Sequence, residues 1–307
     1  MSTTTTKTDL LRIADLSPAR LAALLDLAAA MKADPNRWGD ALRGESVACY
    51  FSKPSTRTRI SFEAAAHRLG GLPIMLRPDE LQLGRGEPIA DTARVMSSYC
   101  AAIVIRTFAQ RDVEEMAAAS AVPVINALTD DHHPCQALAD LLTLRERFGD
   151  LAGLTVAYVG DGNNVAHSLI EAALLAGLQL ALACPEGYRP DPAIVEAAGD
   201  AVRVVTDPRE AVAGAAAVYT DVWVSMGDEA EQQRRLADLR PYEVDGDLMA
   251  LAADDAVFLH CLPAHRGQEV SAAVIDGPQS AVWQQAANRL PTEQAALYAL
   301  VTGNWEG

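Results

Sequence analysis

Hydroxyl and guanidinium side chains are concentrated in residues 55–59, Ser-Thr-Arg-Thr-Arg, at a predicted turn from a strand into a helix. The apolar run 47–51 before them is typical of a buried strand. The amphipathic run 60–69 after them ends at two glycines, which predicts a helix. Ser55 takes the N-cap position in this interpretation. Because the first turn of a helix presents unpaired backbone N–H groups and the positive end of the helix dipole, the segment is suited to bind an anion.

The side chains of this turn add donors to those of the backbone. Ser55, Thr56 and Thr58 carry hydroxyl groups, and Arg57 carries a planar fork of N–H groups that matches the oxygens of a phosphate. A dianionic phosphate needs several donors and fixed positive charge, so the segment predicts a phosphate site. An ordinary serine N-cap with arginines on a solvated face is the simpler alternative.

Polar side chains also follow other predicted strands, where ligands bind in open α/β sheets. Arg106 ends the apolar run 101–105, although a surface ion pair would explain an arginine there equally well. His133 and Gln136 share one face at the start of a predicted helix. His132 and His133 together suggest a metal only weakly, because neighbours on a helix point apart and no acidic residue lies at helical spacing from His133. We therefore predict no metal site.

Strand and helix patterns alternate along the chain, which predicts α/β architecture with parallel sheets covered by helices. Predicted strands lie at 47–51, 101–106, 122–125, 155–159, 178–183, 202–205, 216–220 and 256–260. Predicted helices in the first half lie near 17–32, 55–69, 89–99, 111–120 and 134–148. A chain of 307 residues suits two doubly wound parallel-sheet domains joined by bridging helices better than one very large sheet. We place the domains at residues 1–148 and 149–280, with a C-terminal helix, about 280–307, packing back onto the first.

Composition narrows the possible partners and the cellular compartment. The net charge of −16 argues against nucleic acid and anionic membranes as partners. No apolar run has the length of a membrane span, and the polar start of the chain lacks the apolar core of a signal peptide. The five cysteines show neither a disulfide framework nor zinc-ligand spacing. These features predict a reduced, cytoplasmic protein.

Individual residues of the second half have ordinary structural explanations. Gly160 and Gly162 imitate a dinucleotide-binding loop, but the third glycine is missing, so the pattern is weak support for a nucleotide-dependent oxidoreductase. Asp221 after a strand is often a helix cap, and Cys261 after a strand is more often buried and inert. Arg289 by itself is typical of a solvated helix face.

Taken in order, five segments resemble the motifs of the aspartate and ornithine carbamoyltransferases. They are residues 55–59, Arg106 with His133-Pro-Cys-Gln136, Gly160-Asp-Gly-Asn-Asn164, Asp221 to Gly227, and His260-Cys-Leu-Pro263. The Asp-x-Trp-x-Ser-Met-Gly and His-Cys-Leu-Pro segments are similar to those of ornithine enzymes. The resemblance implies transfer of a carbamoyl group from carbamoyl phosphate to the δ-amine of L-ornithine, which gives L-citrulline and phosphate.

The resemblance also implies roles for individual residues. The catalytic residues are Arg106, His133, Asp221 and Cys261. Carbamoyl phosphate is bound by Ser55, Thr56, Arg57, Thr58, Gln82, Arg106, His133, Pro134, Cys135, Gln136, Cys261, Leu262 and Arg289. Ornithine is bound by Asn164, Asp221, Ser225 and Met226. Gln82 belongs to a loop that, in the family, reaches a phosphate site across a subunit boundary.

The implied chemistry agrees with the residue types. Arg106, His133 and Thr58 can donate to an oxygen that becomes negative when the carbonyl is attacked, and the Gln136 amide oxygen can accept from the carbamoyl NH2. The Asp221 carboxylate suits an alkylammonium group. No cofactor is expected, because carbamoyl phosphate is already activated, and the family implies a homotrimer or a multiple of trimers.

Three alternatives stay open from the residues alone. One is a carbamoyltransferase for another amine, such as putrescine or an acylated ornithine. A second is the nucleotide-binding oxidoreductase, and a third is a non-catalytic metabolite-binding protein.

Overall fold

The computed structural model describes residues 7–224 and 229–306, and it divides into two compact units. Unit 1 comprises Met1–Leu142 with Ala287–Gly307, and unit 2 comprises Thr143–Ala286. The borders fall within two helices, α5 (Pro134–Phe148) and α12 (Val282–Thr302), so each unit contains part of both. The prediction of two parallel-sheet α/β domains is confirmed.

Unit 1 contains a four-stranded parallel sheet in the order β2-β1-β3-β4. Its strands are β1 (Ser46–Phe51), β2 (Leu72–Leu76), β3 (Ala102–Arg106) and β4 (Val124–Leu128). Its other helices are α1 (Pro18–Ala33), α2 (Arg57–Arg68), α3 (Ile89–Tyr99) and α4 (Gln110–Ala119). The central strands are buried along their length, as expected for strands covered on both faces.

Unit 2 contains a five-stranded parallel sheet in the order β7-β6-β5-β8-β9. Its strands are β5 (Thr155–Val159), β6 (Gln179–Ala183), β7 (Val202–Val205), β8 (Ala217–Thr220) and β9 (Val257–Leu259). Its other helices are α6 (Asn164–Ala176), α7 (Pro192–Ala198), α8 (Pro208–Val212), α9 (Gln232–Leu239), α10 (Gly246–Met249) and α11 (Ala272–Ile275). None of the described helices has the length and apolar character that a membrane span requires.

Two strands of unit 1 differ from the prediction. Strand β2 was not predicted, and it is an edge strand that contains Pro73 and is only partly buried, so it lacks the apolar pattern of a central strand. The strand predicted at 122–125 is displaced: β4 begins at Val124 and continues to Leu128. Pro123 precedes the strand because proline has no backbone N–H to contribute to a ladder.

Each sheet has a point where the strand order reverses, and these points position the predicted residues. In unit 1 the reversal lies between β1 and β3, and in unit 2 between β5 and β8. Phe51 pairs with Arg106, and Val159 pairs with Thr220, so in each unit two connecting loops leave the sheet side by side. Ligands of open α/β sheets bind at such switch points.

Candidate functional site

The loop after β1 is tied to the end of β3. The backbone N–H and the hydroxyl of Ser52 both donate to the Arg106 carbonyl oxygen, at 2.9 and 3.1 Å. Lys53 is buried, forms an ion pair with Asp130 and lies 4.2 Å from the centre of the Phe108 ring. These contacts hold the loop in place at the start of the predicted phosphate-binding segment.

Helix α2 begins at Arg57, with Thr56 in the N-cap position. The predicted N-cap at Ser55 is therefore one residue early. Thr56 has helical dihedral angles and its side chain makes no capping hydrogen bond with the described residues. Thr58 is buried, Ser55 and Arg57 are half-buried, and Thr56 is exposed. The side chain of Thr56 thus does not cap the first turn of α2, whose backbone N–H groups are of the kind that bind anions.

Arg289 is buried in unit 1, not solvated as its local sequence suggests. Its guanidinium donates to Thr58 Oγ1 at 3.0 Å and to Gln136 Oε1 at 2.9 Å. The Gln136 amide in turn donates to Asp140 at 2.7 Å. The fold therefore connects three of the predicted carbamoyl phosphate ligands, from α2, α5 and α12, in one hydrogen-bonded cluster.

Arg106 and His133 are both buried in unit 1. Burial lowers the pKa of His133 well below its ordinary value, and the positive charges of Arg289, Arg106 and Arg57 lower it further. The imidazole is consequently neutral at physiological pH and can donate one N–H without adding charge. The surrounding arginines supply the positive field that a dianion requires.

The side chains of the other predicted carbamoyl phosphate ligands in unit 1 add less to the candidate binding site. Cys135 is buried, its thiol lies 3.4 Å from the Asn126 carbonyl oxygen, and burial raises its pKa, so it is an inert thiol. Pro134 is the first residue of α5. Gln82 begins a short 3-10 helix, Gln82–Arg85, and is exposed.

A cavity of about 320 Å³ lies beside the loop that follows β1. Its described lining includes Lys53, Ser55, Arg59 and Arg77 with one acidic residue, Asp79. Among these residues, Ser55 belongs to the predicted phosphate site.

Asp221 occupies the switch point of unit 2, directly after β8, and is buried. Its carboxylate accepts from the Cys261 thiol at 2.9 Å and from Asn163 Nδ2 at 2.8 Å. The Tyr158 hydroxyl lies 3.3 Å from Asn163 Oδ1. Asp221 and Cys261, two of the four predicted catalytic residues, therefore meet at one point.

Asn163 was missed by the sequence analysis, which selected Asn164. Asn163 is the N-cap of α6, where its Oδ1 accepts from Val165 N and Ala166 N while its amide donates to Asp221. The sequence signal was available, because asparagine directly before a helix is a preferred cap. Asn164 is half-buried at the first position of α6. Ser225 and Met226 lie outside the described residues.

The loop that carries Cys261 and Leu262 is fixed by a buried histidine. His260 Nδ1 accepts from Leu262 N at 2.8 Å, so its Nε2 carries the proton and donates to Glu269 at 3.2 Å. Burial would raise the pKa of Glu269, but hydrogen bonds from His260 and from the His265 N–H outweigh it and lower that pKa. Leu262 adopts the left-handed region with φ 60°, a strained conformation for a branched residue.

Three potential metal ligands lie close together in the part of the chain that the structure describes. Asp221, His260 and Cys261 place one ligand atom each within 4.8 Å of one another. However, both His260 nitrogens are engaged in hydrogen bonds within the protein, and the Cys261 thiol donates to Asp221. The arrangement fits a proton-sharing cluster better than a metal site.

The glycine loop after β5 is explained by packing. A Cβ at Gly162 would lie 2.3 Å from Pro190 N, so only glycine fits there. The neighbouring Asp161 forms an ion pair with Arg235, which also donates to the Trp223 carbonyl oxygen at 2.6 Å. The resemblance to a dinucleotide-binding loop therefore has a structural cause, which weakens the oxidoreductase alternative.

Two models of known protein families match the two halves of the chain. Residues 8–146 match the model described as "Aspartate/ornithine carbamoyltransferase, carbamoyl-P binding domain", and residues 152–300 match its "Asp/Orn binding domain". Arg57, Arg106, His133 and Gln136 lie within the first match, and Asp221 and Cys261 lie within the second.

Similar whole proteins point to one branch of this family. The chain is 54% identical over 294 residues to an ornithine carbamoyltransferase of Acidothermus cellulolyticus, covering 94% of each chain. It is 52% identical over 289 residues to an anabolic ornithine carbamoyltransferase of Pseudomonas aeruginosa, covering 94% of this chain and 95% of the relative.

Solved structures give the same result at the level of the fold. The ornithine carbamoyltransferase of Pyrococcus furiosus superposes with a TM-score of 0.92 at 46% identity, covering 97% of this chain and 98% of that one. The enzyme of Thermus thermophilus superposes with a TM-score of 0.90 at 45% identity, covering 97% and 100%. From these matches of its sequence and of its fold, the chain belongs to the aspartate/ornithine carbamoyltransferase family.

Proposed function

We propose that this protein transfers the carbamoyl group of carbamoyl phosphate to the δ-amine of L-ornithine, giving L-citrulline and phosphate. The main structural support for ornithine as the substrate is the buried carboxylate of Asp221, which lies 2.9 Å from the Cys261 thiol. A carboxylate at this position attracts an alkylammonium, whereas a site for aspartate needs basic groups. Relatives more than 50% identical that are named ornithine carbamoyltransferases support the same choice.

The proposed reaction begins with the amine. An alkylammonium has a pKa near 10, as in lysine, so it must lose a proton before it can act as a nucleophile. Asp221 holds and orients the ammonium. Cys261 is the proposed proton acceptor: its thiol first releases its own proton to solvent, and the resulting thiolate takes up the proton of the ammonium group. The neutral amine then attacks the carbamoyl carbon, and the carbonyl oxygen becomes an oxyanion.

In this proposal unit 1 supplies the groups that bind carbamoyl phosphate and stabilise the oxyanion. Arg106, His133 and Thr58 donate to the oxyanion, and the neutral state of His133 makes it a hydrogen-bond donor of fixed charge. Arg57 and the first turn of α2 bind the phosphate, which leaves as the tetrahedral intermediate collapses. Rate enhancement on this proposal comes from positioning two substrates and from electrostatic stabilisation.

The deciding experiment is a product assay with the purified protein. We expect citrulline and equimolar phosphate from carbamoyl phosphate and L-ornithine, with far less product from putrescine or Nα-acetylornithine. Preferred turnover of either of those amines would instead support a carbamoyltransferase of different specificity. An absence of carbamoyl phosphate turnover with any amine would support a metabolite-binding protein, and product formation without NAD or NADP would remove the oxidoreductase alternative.

Cys261→Ser tests the proton acceptor. Serine keeps a hydrogen-bond donor near Asp221 but does not ionise at neutral pH, so we expect kcat to fall at least tenfold while the KM for carbamoyl phosphate changes little. The alkaline limb of the kcat profile should move as well. An unchanged profile and rate would remove Cys261 from the mechanism and leave Asp221 as an orienting group alone.

We further propose that the protein acts in the cytoplasm, in arginine biosynthesis, as a homotrimer or a multiple of trimers. The anabolic relative from Pseudomonas aeruginosa supports the direction. Among the described residues, unit 1 exposes five large apolar side chains, which supports association between copies. Ile60, Leu72 and Tyr99 are 59, 61 and 75% exposed, and Val95 and Phe108 are each 49% exposed. The exposed Gln82 is the residue we propose to reach a neighbouring copy's phosphate site.

A further inference from the structure

The guanidinium of Arg289 forms an ion pair with a buried carboxylate, that of Glu293, which the proposed mechanism does not use. Glu293 lies one turn further along α12, and the two side chains are 3 and 1% exposed. Glu293 Oε1 accepts from Arg289 Nε at 3.0 Å and from Arg289 Nη2 at 2.6 Å. The same guanidinium donates to Thr58 and Gln136. Glu293 therefore fixes the orientation of a guanidinium that contacts two proposed carbamoyl phosphate ligands.

We infer that Glu293 is a positioning residue for Arg289, and that gain or loss of a proton by its carboxyl group tunes the affinity of the unit 1 cluster for anions. This inference rests on the proposed function, because it concerns the same anion site. It adds a regulatory property, dependence of anion binding on pH, that the chemistry of carbamoyl transfer does not require.

The charge balance of the cluster gives the direction of the effect. An ionised Glu293 cancels the charge of Arg289 and repels an incoming anion. A protonated Glu293 leaves the full positive charge available while its carbonyl oxygen still accepts from the guanidinium. Anion affinity should consequently be higher when Glu293 is protonated.

The protonation of Glu293 changes near neutral pH. Burial raises the pKa of Glu293 to about 7, even though Arg289 acts in the opposite direction. On this inference we expect the carboxyl group to be mainly neutral at pH 6 and mainly ionised above pH 8. Anion affinity should fall as pH rises through this range, and by linkage, binding of an anion near pH 7 should take up part of a proton.

The groups around Glu293 do not obscure this titration. Burial raises the pKa values of Cys49 on β1 and Cys135 on α5, so both thiols stay protonated near neutral pH. Burial and neighbouring arginines lower the pKa of His133. Ser61 on α2 is polar but uncharged, and Asp140 on α5 adds a negative charge near Arg289.

The test measures binding of sulfate, whose charge is constant between pH 6 and 8.5, by titration calorimetry at several pH values. For the unaltered protein we expect affinity to fall roughly tenfold across this range, as one nearby charge appears. Glu293→Gln keeps the acceptor and removes the charge, so its affinity should vary little with pH and exceed that of the unaltered protein at pH 8.5. Glu115→Gln, an exposed change on α4, should behave as the unaltered protein does.

A second variant separates the effect of Glu293 on the orientation of Arg289 from the effect of its charge. At pH 6 the unaltered protein and Glu293→Ala both lack charge at this position, so weaker sulfate binding by Glu293→Ala reports the lost acceptor for Arg289. If Glu293→Gln fails to fold, the proton uptake of the unaltered protein, measured in buffers with different ionisation enthalpies, still decides the question.

Three results would overturn the inference. They are an equal pH dependence in Glu293→Gln and the unaltered protein, equal sulfate affinity of Glu293→Ala and the unaltered protein at pH 6, and no proton uptake near pH 7. Citrulline formation by the unaltered protein together with any of these results would reject the role of Glu293 alone. Failure to form citrulline would reject the proposed function, whatever the sulfate titrations show.

Discussion

Arg106→Gln is expected to lower kcat by roughly 10²–10³-fold, the range found when one donor to an oxyanion is removed. Arg106 is buried at the carboxyl end of β3, and glutamine retains part of its volume and one amide donor but no charge. The loss should appear in kcat more than in the KM for ornithine, because the interaction strengthens only as the carbonyl oxygen becomes negative. Steady-state kinetics of citrulline formation, with a check of thermal stability, measure it.

Arg59→Gln is the matched control for this substitution. Arg59 lies in the same polar segment but is exposed on α2, so the same loss of charge there should change kcat less than threefold if solvent screens it. If Arg59→Gln reduced kcat as strongly as Arg106→Gln, a general electrostatic effect of the segment would replace the specific role of Arg106.

Asp221→Asn is expected to reduce kcat/KM for ornithine by roughly 10²-fold, since a charge-assisted hydrogen bond to the ammonium is replaced by a neutral contact. Asparagine has nearly the same shape, but its amide nitrogen cannot accept from the Cys261 thiol or from Asn163 as the present carboxylate does. The KM for carbamoyl phosphate should be much less affected. Kinetics with each substrate varied in turn provide the comparison.

Asp200→Asn removes one exposed acidic charge from the same unit and should leave both kinetic parameters unchanged. Two results would contradict the role of Asp221. One is that the KM for ornithine and kcat are unchanged in Asp221→Asn. The other is that kcat/KM falls equally for both substrates in a folded variant.

Much of the fold could be predicted because its strands are apolar runs at regular intervals. β1, β3, β5 and β8 lie within one residue of their predicted positions, since each is a central strand buried on both faces. The edge strand β2 could not be recognised, because partial burial removes the continuous apolar pattern and Pro73 interrupts it.

The candidate site could be predicted from the sequence where its residues lie close together along the chain, and could not where they lie far apart. The donors of residues 55–59 follow from a strand-to-helix turn alone. Arg289 is separated from Thr58 by 231 residues, so its burial depends on where α12 packs, which no local pattern contains. Glu293 was missed for the same reason, although its spacing of four residues from Arg289 is the sequence signal of a helical ion pair.

The cysteines differ in burial, so covalent labelling of the native protein should favour one of them. Cys49, Cys100, Cys135 and Cys184 are buried, and burial raises the pKa of each thiol, which suppresses the reactive thiolate. Cys261 is half-buried and lies against Asp221. Since Cys261 is the one cysteine that is not fully buried, we expect an alkylating reagent to reach it before the other four in the native chain. On the proposed function, the extent of modification there should fall as the proposed amine site is occupied, and no cysteine has to be introduced or removed to measure it.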